Sequence, residues 1–268
     1  GFVVSLMRNE AIPKVPSVIF AVTSGIAAVF LSNLHGFIEF LRANAFGTSS
    51  FWKNLCIEGM TKVDLPTTQS WRPIEFWWWF KSTRIINKFE DTCEGAGLDY
   101  TITEFPFFSY LLGDLHPHVT STPFFVVFLG ICLCLIRKQS ARSFFSSTLS
   151  TISLLVLIFS AVIFINMWYL PLAMGILFGI FILRKIVGID REFTKTLITP
   201  LAIVMISLLI LSPYLLTLQT SVSGLNTPSV QTRLPHALII WGPLLIITVP
   251  HIFIEFCKVR ISTQWKTP

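Results

Sequence analysis

The sequence predicts an all-α, polytopic integral membrane bundle of about six transmembrane helices, and three observations predict it. Of its 268 residues, 53% are hydrophobic. Only 13% are charged, against roughly a quarter in an ordinary soluble domain. The apolar residues are also gathered into six runs, each close to the about 20 residues that cross a bilayer core as a helix. A net charge of +6 does not indicate nucleic acid, because Lys and Arg form short clusters between apolar runs rather than a basic stripe.

The runs extend from Val15 to Asn33, His116 to Ile136, Ser147 to Phe164, Pro171 to Ile186, Thr196 to Leu216 and His236 to Cys257. The fourth is short and takes Trp168 and Tyr169 as interfacial anchors at its start, with Arg184 and Lys185 snorkelling at its end. Arg137, Lys138 and Arg142 lie between the second and third runs, and Arg184, Lys185, Arg191 and Lys195 between the fourth and fifth. The turn 165–170 has no basic residue, and the connection Thr217–Pro235 has only Arg233. The positive-inside rule therefore puts the basic connections and both termini of this chain in the cytoplasm. Residues 1–268 read as one transmembrane domain, within which 34–115 form a long extracytoplasmic loop carrying interfacial helices. Without an initiator Met or a leader pattern before the first run, the chain reads as a piece of a longer protein.

That orientation, drawn from charge alone, gathers the unusual polar strings on one face. They are Asn33-Leu34-His35-Gly36, the string DLHPH at Asp114–His118, Asn166-Met167-Trp168, and Ser212-Pro213-Tyr214. A capping role at the start of the second helix would account for Asp114 and Pro117 by themselves. In a regular helix Asp114 and His118, at i and i+4, converge on one ligand while His116 points elsewhere. Irregular backbone ahead of Pro117 would instead let Asp114, His116 and His118 share a divalent metal ion, although the spacing matches no zinc signature. Glu104 is a second carboxylate, on a non-helical approach that Pro106 implies.

The outer loop contains WRPIEFWWWFKSTRII at Trp71–Ile86, aromatic and basic like a helix in the headgroup layer. An aromatic belt is one reading of it. A lipid-phosphate site at Arg84, with Lys81 beside it, is the other. Cys56 and Cys93 lie in this loop, where oxidising conditions permit a disulfide. Cys132, Cys134 and Cys257 fall in apolar runs as small core residues, and His251 reads as an interior histidine.

The order WWWFKSTRII, ITEFPFFSYLLGDLHPHVTSTPF and INMWYLP, with SNLHG upstream, resembles the polytopic family of unknown function called Chlor_Arch_YYY. The resemblance covers most of Ser32 to Pro171. That family is in turn similar to the GT-C membrane glycosyltransferases, which take a sugar from a polyprenyl-phosphate donor at the extracytoplasmic face of a bacterial or archaeal plasma membrane. The resemblance implies a lipid-linked sugar donor and membrane lipid as partners. It implies Asp114 or Glu104 as catalytic acid–base, Arg84 and Lys81 on the donor phosphate, and Asn166 and Trp168 shaping the sugar pocket. This chain departs from the family in lacking the tyrosine-rich string and upstream acidic loop, and in carrying Tyr169 where an Asp often follows Trp. GT-C enzymes commonly keep a catalytic acid in that upstream part, so the resemblance implies that this piece by itself is inactive. A membrane transporter and a metal-dependent membrane hydrolase are the alternatives. No Walker loop, dinucleotide-binding glycine loop, G-x-S-x-G or H-E-x-x-H string is present.

Overall fold

The structure, a computed structural model, describes residues 13–31, 33–57, 60, 78–88, 93, 99–136, 148–186, 188, 193–219 and 232–264. It is all-helical apart from one two-residue ladder and divides into two compact units, Val3–Asp114 with Asn226–Pro268, and Leu115–Leu225.

The first unit begins with α1 (Lys14–Phe30), largely apolar, and α2 (His35–Ala43), which is bent 75° away from it. Then follow α3 (Ser49–Leu55), α4 (Trp78–Lys81), the antiparallel pair β1 (Asn87–Lys88) and β2 (Asp99–Tyr100), and α5 (Pro106–Leu112). The long helix α10 (Leu234–Gln264) closes the unit. Thr48 caps α3, its hydroxyl accepting the Phe51 N–H at 3.2 Å, and Pro106 opens α5 where a missing N–H costs nothing. The core is Trp52, Ile57, Met60, Ile85 and Ile239, packed against by Leu34, Ile38, Leu41, Leu55 and Ile240.

One feature of this unit departs from the sequence expectation, and one pairing that the sequence left open is decided. The headgroup-layer helix read over Trp71–Ile86 lies outside the described residues up to position 77, and what is described of it ends at Lys81. Ser82 and Thr83 turn their hydroxyls back to the Trp79 and Phe80 carbonyls at 2.6 and 2.7 Å, competing with further helix. The turn at Ser82 and Thr83 then leads through the non-helical Arg84-Ile85-Ile86 into β1. Cys56 and Cys93 do meet, in a disulfide with their Cα atoms 5.0 Å apart.

In the second unit α6 (Pro117–Ile136), α7 (Thr148–Ile165), α8 (Tyr169–Ile186) and α9 (Phe193–Thr217) pack as a four-helix bundle. Phe128, Ile131, Phe159, Val162, Leu177 and Ile203 fill its centre. Phe128 meets Phe159 with ring centroids 6.0 Å apart, and Phe125 stacks on Tyr169 at 4.9 Å. Small polar groups bring the helices close, as inside membranes. The Val156 carbonyl on α7 accepts both the Ser160 hydroxyl at 2.7 Å and, from α9, the Ser207 hydroxyl at 3.3 Å. Arg184 at the end of α8 donates to the Leu135 carbonyl in the last turn of α6, where a cation complements the helix dipole.

All six apolar runs are therefore helical. Among the described residues four helices are long and apolar enough to cross a bilayer, a fifth span results if α1 and the bent α2 count as one, and Leu149–Ile165 is a shorter apolar helix. The cysteines in apolar runs differ from one another: Cys132 is buried, Cys257 half-buried and Cys134 exposed. His251 is exposed on α10 rather than interior.

Cutting the disulfide by Cys56→Ser or Cys93→Ser frees a closed loop of 37-residue separation. The expected loss is about 3–4 kcal/mol of stability by the loop-entropy estimate. Thermal unfolding in detergent checks it, and an unchanged midpoint after reduction would remove the crosslink from the stability of this unit.

Candidate functional site

The polar groups of the first unit gather where three chain segments meet, and the contact that brings them there is a consequence of one proline. Pro243 in α10 has no N–H to give the Ile239 carbonyl one turn earlier. The Leu34 N–H takes that carbonyl instead at 2.8 Å. Gly242 makes room for the approach, because a Cβ there would stand 3.0 Å from Leu34 Cδ1.

Around this anchor the neighbouring side chains are determined in turn. The Asn33 amide donates to the Ser82 carbonyl at 2.6 Å, and its oxygen accepts the His35 N–H at 3.0 Å. It thereby ties the α1–α2 turn to the end of α4. His35, Glu39 and Arg42 follow at i, i+4 and i+7 of α2, and all three are buried. Both ring nitrogens of His35, and Nε of Arg42, have no hydrogen-bond partner among the described residues. Lys81 stands close enough to act electrostatically on the His35 imidazole. On the α10 side the buried His236 donates from Nε2 to the Leu55 carbonyl at 2.7 Å, satisfying one of the end carbonyls of α3.

Arg84 lies beside this cluster. Its guanidinium donates to the Thr83 hydroxyl and sits over the Phe80 ring, 4.7 Å from the centroid. The Thr103 N–H donates to the Thr83 carbonyl at 2.9 Å, and the Thr101 N–H to Ile86 at 3.1 Å. Arg84 and Glu104 thus each follow one end of the same cross-strand link. Glu104 is half-buried, on the non-helical approach expected before Pro106.

Asp114 is exposed and follows Gly113, which ends α5 in the left-handed conformation at φ 67°. Its own N–H returns to the Ser109 carbonyl at 3.0 Å. The helical i, i+4 relation expected for Asp114 and His118 does not hold, because α6 starts only at Pro117 and the backbone before it is irregular. That irregularity does bring His116 and His118 together, with ring centroids 5.5 Å apart. Among the described residues, however, no three His, Cys, Asp or Glu side chains form a group that could hold a metal ion.

Asn166 and Trp168 belong to the second unit, whereas Lys81, Arg84, Glu104 and Asp114 belong to the first. The Asn166 oxygen accepts the Trp168 N–H at 3.2 Å and so closes the α7–α8 turn. The Trp168 indole is 82% exposed, the disposition of an interfacial anchor. Sequence reasoning marked His35 only as part of a polar string and passed over Glu39, Arg42 and His236. The signal was present in HGFIEFLR, whose three ionisable residues share one helix face.

Residues 1–267 match the uncharacterized membrane protein family DUF2298, and the chain belongs to it. No curated protein and no solved structure matches it.

Asn33→Ala removes two hydrogen bonds at the α1–α2 turn, each worth about 1 kcal/mol. The expected loss is about 2 kcal/mol, read as a lower unfolding midpoint in detergent. A midpoint equal to that of the native chain would mean that Asn33 does not tie the turn to Ser82.

Proposed function

We propose that this member of an uncharacterized membrane protein family is a glycosyltransferase of the GT-C type, taking a sugar from a polyprenyl-phosphate donor at the extracytoplasmic face. The observation that carries the reading is the placement of Arg84 and Glu104 about one cross-strand link, with the guanidinium seated on an aromatic ring. A lipid phosphate at a bilayer boundary needs that combination: a fixed fork of donors for the anion, a carboxylate within the same small element, and aromatic surface against the lipid.

In the reaction a carboxylate, Glu104 or the exposed Asp114, takes the proton of the acceptor hydroxyl. The hydroxyl oxygen forms a bond to the anomeric carbon as the bond from that carbon to the phosphate oxygen breaks. The phosphate leaves with the electron pair, and Arg84 with Lys81 offsets its charge. Asn166 and Trp168 are assigned to the sugar on the strength of the resemblance alone.

A second reading has its own support. The 75° break between α1 and α2, with His35, Glu39 and Arg42 buried just beyond it, is the arrangement by which transporters hold a solute at a broken helix.

The full-length protein that carries this chain, purified into nanodiscs and given radiolabelled polyprenyl-phosphate sugar, is expected to release labelled product. Arg84→Ala should lower that turnover about 10²–10³-fold, the usual cost of one group that stabilises developing charge, and Asp114→Asn together with Glu104→Gln should abolish it. Membrane insertion should be unaffected by all three substitutions. Full turnover by these variants, or solute uptake into vesicles that Glu39→Gln abolishes, would replace the transferase reading by the transporter one.

A further inference from the structure

Beyond Arg84 the aromatic contacts lead to an apolar surface that the proposed reaction does not use. Trp79 and Phe80 of α4 both meet the Phe108 ring of α5, at centroid distances of 5.8 and 6.2 Å, and Phe105 meets it at 6.2 Å. These rings hold α5 beside the guanidinium that lies over Phe80. In the last turn of α5 the packing stops: Tyr110, Leu111 and Leu112 are 54%, 51% and 50% exposed. Such consecutive large apolar groups are not left to water without a partner.

The other side of α5 shows what kind of surface this is. Phe107 packs on Phe30, in the final turn of α1, with centroids 5.4 Å apart. Ile19, Val22, Ile26 and Phe30 of that apolar helix are themselves exposed. In a membrane protein such a face meets hydrocarbon, so the end of α5 continues a lipid-covered surface toward a fixed cation.

We infer that the last turn of α5, at Tyr110, Leu111 and Leu112, seats the hydrocarbon chain of a lipid phosphate whose headgroup Arg84 holds. This rests on the reading of Arg84 as the phosphate-binding residue. Two features select that occupant. A neutral lipid would cover α5 but bring no anion to the guanidinium, and inorganic phosphate would meet the guanidinium but leave α5 bare. Only an anionic head joined to a long apolar chain complements both.

The test is photolabelling of the intact chain in nanodiscs with a long-chain prenyl monophosphate that carries a diazirine on its hydrocarbon, followed by mapping of the labelled peptide. Label is expected in residues 106–112. It should fall at least about tenfold when the probe is the corresponding prenyl alcohol, and by a similar factor in Arg84→Ala, the ratio lost with one hydrogen bond to a charged group. Equal labelling by the alcohol would reduce the surface to ordinary bilayer contact, displacement by excess inorganic phosphate would reduce the site to free anion, and label outside α5 would place the chain elsewhere. Each of these outcomes overturns the inference, and the first two are read on the native chain, so they do not depend on a variant folding. Labelling requires no turnover. Labelling as expected in a full-length protein that transfers no sugar keeps the lipid site and loses the transferase reading, whereas transfer without phosphate-dependent labelling of α5 does the reverse.

Discussion

A single backbone carbonyl governs how the polar part of the first unit is assembled. Pro243 leaves the Ile239 oxygen without its helical donor, and an unmatched carbonyl in a water-poor environment costs several kcal/mol. The Leu34 N–H resolves that cost and, in doing so, determines where the first apolar helix stops and in which direction the chain leaves it. The Asn33 bonds to Ser82 and His35, the burial of one polar face of α2 and the closeness of Lys81 all follow from that turn. The second unit meets the same problem within one helix: Pro213 frees the Leu209 carbonyl, and the Ser212 hydroxyl donates to it at 2.7 Å.

What the sequence shows and what it hides divide along physical lines. Apolar helices of this length are nearly uniform in hydropathy, so the six helical runs are visible in the sequence, although among the described residues only four, or five with the bent α1–α2 pair, are long and apolar enough to cross a bilayer. Pro106 and Pro117 mark helix starts because proline has few other places in a helix. The end of α4 was misjudged. Composition favoured a continuous interfacial helix through Ile86, while the hydroxyls of Ser82 and Thr83, competing for carbonyls one turn back, decided otherwise.

The site was harder to read because its members are distant in the chain. Asn33 reaches Ser82 across 49 positions and His236 reaches Leu55 across 181, and no local pattern reports such pairs. The residues of DLHPH are conspicuous in the sequence, and the structure leaves Asp114 exposed and sets the two imidazoles 5.5 Å apart. Less conspicuous residues, His35, Glu39 and Arg42, are the ones that α2 buries. A buried imidazole with both nitrogens lacking a described partner is costly and is not explained by packing alone.

The account depends most on the Leu34–Ile239 bond, and amide hydrogen exchange at Leu34 tests it most directly. In the native chain the Leu34 amide should be protected to the same degree as the interior of α10. In Gly242→Leu, where the added side chain occupies the space of Leu34, protection should be lost at Leu34 while the second unit keeps its own. A Leu34 amide that exchanges in the native chain as fast as an unstructured peptide would contradict the account, since nothing would then hold the turn from which the site is built.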